Sequence, residues 1–204
     1  MGPTSRAAGV FDASSSGSDR PLRADAQRNR ARILESAEAI FAAEGIEVPV
    51  DTIAEKAGVG VGTLYRHFPT KEKLCEAILL ERLSSLALDA RALAEVEDPA
   101  AAFFGFLEHI VEEGAAKRDL LVAVMGAGVE FEVAASEVKE ELLEALDTLL
   151  RRAQSVGALR PDVTSTMVMS LVGATCQAAA TKNAAPASDL LAIICDGLRP
   201  PSAG

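Results

Sequence analysis

The sequence predicts an all-α protein, with nine helices arranged in two domains. Three observations lead to that class. No segment alternates apolar and polar residues with a period of two, as a half-buried strand would; apolar residues recur at spacings of three and four instead. The chain is 49% apolar but only 4% aromatic, with no Trp, so its core is aliphatic and alanine-rich, which suits closely packed helices. Gly and Pro fall between the periodic stretches, where they stop and start helices. A length of 204 residues fits one large domain or two small ones.

Residues 1–22 are small, polar and aperiodic and read as a disordered tail. A helix is expected over 25–44, because Ile33, Leu34, Ala37, Ile40 and Phe41 share one face and Gly45 follows as a stop. Pro49 suits the first turn of a second, short helix with the stripe Val50, Ile53, Ala54 and Ala57, closed by Gly58. A turn, Val59-Gly60, leads into a third over 61–68, stopped by Pro69. Thr70 is a good N-cap for a long helix from Lys71 to about Val96. Asp98-Pro99 opens the next, which carries Phe103, Phe106, Leu107 and Ile110. A short helix over 119–125 ends at Gly126, and an amphipathic one over 136–156 ends at Gly157. Pro161-Asp162 opens the eighth, reaching about Thr181, and the ninth spans 187–198.

The stretch GVGVGTLYRHFPTKEKL, Gly58 to Leu74, admits two chemistries. A dinucleotide cradle needs glycines at its first, third and sixth positions after a strand. Counted from Gly58 the sixth position is Thr63, and counted from Gly60 it is Tyr65. A helix, not a strand, precedes them, and no GxxxxGK[ST] is present. A short helix, a glycine-bearing turn and a second short helix form a helix-turn-helix unit instead. Leu64 and Phe68, four apart, would anchor the second helix from behind. Thr63, Tyr65, Arg66 and His67 would fill its other faces with hydrogen-bond donors, and Gly62 would let its backbone approach another surface. Lys71 opposes the dipole of its own helix, which makes sense beside a phosphate.

Charge supports the same reading. The net charge is −10, yet residues 1–75 hold ten basic and ten acidic groups, while the remainder holds ten and twenty. Five arginines in 20–32 (Arg20, Arg23, Arg28, Arg30, Arg32) face a single Asp25. The N-terminal part can meet a polyanion that the acidic remainder would repel. The cysteines Cys75, Cys176 and Cys195 are scattered, so neither a disulfide framework nor a zinc site is expected. No apolar run reaches membrane-spanning length and no apolar signal core opens the chain, so a cytoplasmic location is expected.

Residues 25–74 resemble the N-terminal domain of TetR-type transcriptional regulators, through ARILESAEAIFAAEG, DTIAEKAGV and GTLYRHFPTKEKL. The start, LRADAQRNRARIL, resembles the actinobacterial branch of such regulators. The resemblance implies a helix-turn-helix DNA-binding domain over 23–70 and an effector-binding and dimerisation domain over 71–204. It implies double-stranded operator DNA, a small-molecule effector and a second copy of the chain as partners. It implies repression released by the effector, association with the nucleoid, and neither cofactor nor metal. By similarity, Val61, Gly62, Thr63, Tyr65, Arg66, His67 and Lys71 would face DNA. Two departures stand out: Gly60 and Pro49 replace hydroxyl residues that many relatives carry at those helix starts.

The second domain carries no Ser-His-Asp set, and His109 with its neighbouring glutamates makes no set of three metal ligands. Phe103, Phe106, Leu107, Ile110, Met125, Phe131, Met167 and Met169 are candidate linings of an apolar effector cavity, with His109, Thr175 or Gln177 as polar anchors. Gly173, Ala174 and Ala178 to Ala180 would let helices of two subunits approach closely. The alternatives are an all-α enzyme, which should show a convergent catalytic set, and an architectural DNA-binding protein, whose second domain should hold no cavity.

Overall fold

The computed structural model describes residues 19–116, 120, 129–179 and 185–201. These form eight helices and no strand: α1 Asp19–Glu44, α2 Val50–Lys56, α3 Val61–His67, α4 Lys71–Leu93, α5 Pro99–Ala116, α6 Val129–Ser155, α7 Ser165–Ala179 and α8 Ala187–Leu198. The expected short helix over 119–125 lies outside the described residues, save Leu120, which is helical and buried.

Most boundaries follow from local chemistry. Gly45 and Gly58 adopt the left-handed φ of +83° and +63° that closes α1 and α2. Thr70 caps α4 by accepting from the Lys73 amide at 3.2 Å. Asp98 caps α5 by accepting from the amides of Ala100 and Ala101, both at 3.0 Å. Arg152 on α6 donates to the carbonyls of Val96 and Leu93 just past and at the end of α4, at 2.7 and 3.4 Å. A cation there meets the negative end of the helix dipole.

Three starts differ from expectation. α1 begins at Asp19, so residues 19–22 of the expected tail are helical. Apolar periodicity marks only the buried part of a helix, and among the described side chains of α1 the first buried one is Ile33. Pro21 fits the first turn, where its missing N–H costs nothing. α6 begins at Val129 rather than near residue 136. α7 begins at Ser165 rather than at Pro161-Asp162: the Thr164 hydroxyl accepts from the Met167 amide at 3.3 Å and caps it.

The buried side chains form two clusters. One joins α1, α2 and α3 through Ile33, Ile40, Ile53, Leu64 and Phe68, and takes in Leu74, Cys75 and Ile78 from the start of α4. The other joins α5 to α8 through Phe103, Phe106, Leu107, Leu142, Leu146 and Val172, and takes in Leu86, Ala87 and Ala90 from the far end of α4. α4 is therefore a member of both cores. Its largest packing partner is α6.

Candidate functional site

α3 is a two-turn helix held by its rear. Leu64 is 1% exposed and Phe68 3%, while Tyr65 is 45% exposed. Val61, Gly62 and Arg66 are exposed, and Thr63 and His67 half-buried. The expected anchors and the expected outward face thus fall on opposite sides. The amides of Thr63 and Leu64 donate to the Gly60 carbonyl at 2.8 and 3.1 Å. Gly60 supplies no side-chain cap to this first turn. The His67 ring lies 6.3 Å from that of Phe68, tilted by 45°.

The glycines around α3 have separate reasons. A Cβ on Gly58 would meet the Arg32 guanidinium at 2.5 Å, in a backbone conformation that side chains rarely adopt. Around Gly62 nothing lies within 4 Å of a Cβ position. The protein's own packing does not call for glycine at Gly62.

Lys71 has a task within the chain that sequence reasoning missed. Its Nζ donates to the Val48 carbonyl at 2.8 Å and lies 5.9 Å from the centre of the Phe41 ring. This bond ties α4 to the segment before α2 and offsets the helix-dipole cost without any phosphate. Val48 precedes proline and closes a non-helical stretch, so no periodicity signals it. Nearby, Glu72 is held below the usual carboxylate range by its backbone hydrogen bond and by the Thr70 hydroxyl.

The second constellation is a pocket of about 190 Å³ between α4, α5 and α7. Its walls are Leu79, Leu83, Leu86, Ile110, Met169 and Val172, with Gly114, Gly173 and Cys176 completing them. Of the cavity-lining candidates, Ile110 and Met169 belong to it. Phe103, Phe106 and Leu107 do not: each is 0% exposed inside the C-terminal core. Met167 is 55% exposed. Met125 lies outside the described residues, and of Phe131 only the helical backbone is described.

The proposed polar anchors also fall elsewhere. His109 Nε2 lies 3.6 Å from Asp89 Oδ2, the buried Thr175 hydroxyl donates to the Leu171 carbonyl at 2.9 Å, and Gln177 is exposed. The polar groups that do border the pocket are Arg82 and Glu113, paired by two contacts between α4 and α5. The Glu113 carboxylate raises the Arg82 pKa further. Thirty-one positions separate them, which is why spacing gave no hint.

Burial pushes the Cys75 thiol up to about 11 and raises those of Cys176 and Cys195, so none is poised as a reactive thiolate. Among the described residues no group of three or more His, Cys, Asp or Glu is placed to hold a metal, and no helix is long and apolar enough to cross a membrane.

This architecture is shared with known proteins. Residues 33–78 match the family described as bacterial regulatory proteins, tetR family. Residues 98–200 match the family described as transcriptional regulator SbtR-like, C-terminal domain. The HTH-type transcriptional regulator UidR of Escherichia coli is 30% identical over 162 residues, which cover 74% of this chain and 79% of UidR. A TetR transcription regulatory protein from Mycobacterium vanbaalenii is 42% identical, with a TM-score of 0.67 over 88% of this chain and 99% of that one. A TetR transcriptional regulator from Streptomyces coelicolor is 31% identical, with a TM-score of 0.65 over 85% and 99%. The relatives are regulators and not enzymes. With a helix-turn-helix unit in the matched N-terminal segment and relatives that cover 74% to 88% of its length, this chain belongs to the TetR family of DNA-binding transcriptional regulators.

Proposed function

We propose that the protein is a repressor that holds a palindromic operator as a two-fold dimer and releases it when a small molecule enters the pocket between α4, α5 and α7. In this reading residues 23–70 are the reading head and 71–204 the effector and dimer unit, with α4 shared, and the protein works on the nucleoid in the cytoplasm. Val61, Gly62, Thr63, Tyr65, Arg66 and His67 face the major groove or its phosphates, and Lys71 uses a donor left over from its bond to Val48.

The observation that carries this reading is the double membership of α4. Its first turns are buried in the head through Leu74, Cys75 and Ile78, and Leu79, Leu83 and Leu86 wall the pocket. A ligand that prefers a different position of α4 changes the pose of α3. A preference of a few kcal/mol shifts operator occupancy by orders of magnitude. The pocket also argues against a purely architectural protein, which has no use for one. The walls favour an apolar compound with a small polar part.

Dimerisation draws on the exposed apolar residues of the last two helices. Met167, Leu171 and Ala174 share one face of α7, and Ile193 on α8 is 71% exposed. A two-fold axis there sets two copies of α3 about 34–36 Å apart, one helical turn of DNA.

The test is a gel-shift screen of genomic DNA fragments, repeated with a panel of small apolar metabolites. A fragment bound at nanomolar concentration and released by one compound supports the proposal. Tyr65→Ala and His67→Ala should weaken that complex without lowering the melting temperature. Indifference to every fragment, or release by no compound, would overturn the corresponding half.

A further inference from the structure

We propose that Arg30 and Arg32 make α1 a second phosphate-binding element that brackets the reading helix. The inference rests on α3 being the DNA-facing helix, as proposed above.

Two contacts fix where these guanidinium groups stand. The Arg30 Cζ lies 5.5 Å from the centre of the Phe68 ring, at the residue that ends α3. The Arg32 guanidinium lies against Gly58, in the turn that leads into α3, close enough that a Cβ there would meet its Nη2 at 2.5 Å. One cation is thus held at each end of the helix-turn-helix exit. Both residues are exposed, so each is steered by a neutral neighbour while its donors remain open.

How the arginines are partnered across the molecule makes the case specific. Outside the head, every arginine whose side chain is described has an acidic or carbonyl partner. Arg82 pairs with Glu113, Arg91 with Glu141, Arg151 with Asp147, Arg160 with Asp162 and Arg199 with Asp196. Arg152 bonds to two backbone carbonyls. Within the head, Arg28 pairs with Asp25 on its own helix. Among the described residues Arg30, Arg32 and Arg66 have neither kind of partner, and Arg66 lies on α3 itself. An exposed guanidinium without a partner is ordinary by itself. Three of them confined to the two ends and the outer face of one short helix, in a chain of net charge −10, leave a cationic rim, while the other arginines with described side chains are partnered.

The dimensions fit a duplex. A seven-residue helix is about 10 Å long, and a B-DNA major groove about 12 Å wide, with phosphates along both borders. Cations at the two ends of such a helix lie within reach of those borders. Their planar forks bind phosphate oxygens in pairs. Such contacts hold the helix in register and raise affinity for any duplex, whatever its sequence.

The test exploits that independence from sequence. Fluorescence anisotropy follows binding to a random-sequence duplex of roughly 30 base pairs between about 50 and 200 mM NaCl, for wild type, Arg30→Gln/Arg32→Gln and Arg30→Lys/Arg32→Lys. The slope of log affinity against log salt should shrink in the Gln variant by about 0.9 per arginine for each bound protomer. The Lys variant should keep most of the slope, and Lys139→Gln, on the acidic domain, should leave it unchanged. An unaltered slope in the Gln variant overturns the proposal. So does an equal loss in the Lys variant, which would mean packing on Phe68 and Gly58, or in Lys139→Gln, which would mean net charge. If the double Gln variant does not fold, each single variant is read for half the effect. Wild type that binds no duplex at any salt concentration would overturn the regulator reading itself, a result distinct from these.

Discussion

At Gly58 a Cβ would meet both a rarely adopted backbone conformation and a filled space; at Gly62 it would meet neither. The two positions therefore predict opposite signs. Gly58→Ala forces a side chain into a left-handed conformation, a cost of about 1–2 kcal/mol, and displaces Arg32 as well. It should lower the melting temperature by several degrees. Gly62→Ala replaces a poor helix former on an open helix surface and should stabilise the fold by about 0.5–1 kcal/mol. If the bare backbone of α3 approaches a duplex, the same change should weaken DNA binding severalfold. Thermal melting and anisotropy on one pair of proteins check both. A Gly62→Ala protein that binds DNA as wild type does would remove the reason given for glycine there.

Between elements, a tight constraint lies where α5 meets α7. Gly114 has no side chain, and a Cβ there would come within 2.5 Å of the Cys176 Sγ and 3.3 Å of its Cβ. Overfilling a packed contact costs about 1–3 kcal/mol. Gaining alanine inside a helix returns only about 0.5–1 kcal/mol. Packing wins, so Gly114→Ala alone should destabilise the protein. In a Cys176→Ala background the clash is gone and the helix gain remains, so Gly114→Ala should become neutral or stabilising. Chemical denaturation of the four proteins in this cycle reads that change of sign. If Gly114→Ala costs the same in both backgrounds, the helices meet elsewhere. This contact was invisible in the sequence. Gly114 sits inside a continuous helical pattern with no stop signal beside it, and its partner is sixty-two positions away. α3 was legible because its signals are local: three glycines, a four-residue apolar spacing and a proline within a dozen residues.

Over the whole molecule the same division holds. Apolar spacing and punctuation gave the helices, since each depends on neighbours along the chain. The pocket depends on three helices meeting, so spacing does not tell that Phe103, Phe106 and Leu107 lie in the core outside its walls, and the Arg82–Glu113 pair was missed. Arg82 deserves a function-level test because it borders two spaces at once. It walls the pocket between α4, α5 and α7, and also a groove of about 340 Å³ between α1 and α4. Glu38 of α1 and Asp89 of α4 add to the field that holds its charge. The pair links α4 to α5 on the stretch of α4 between the two buried clusters. Its side chains are 30% and 21% exposed, so losing it should cost about 1–2 kcal/mol, between a surface pair and a buried one. If only half of that cost falls on the DNA-competent position of α4, operator affinity drops about threefold, without any change to the DNA-facing surface. Glu113→Gln and Arg82→Gln should each show that loss on the fragment that wild type binds best. The double variant should be no weaker than either single one, because both remove the same link. Additive losses would mean that the two residues act separately, and unchanged affinity in all three would mean that α4 is held in its DNA-competent position by the apolar core alone.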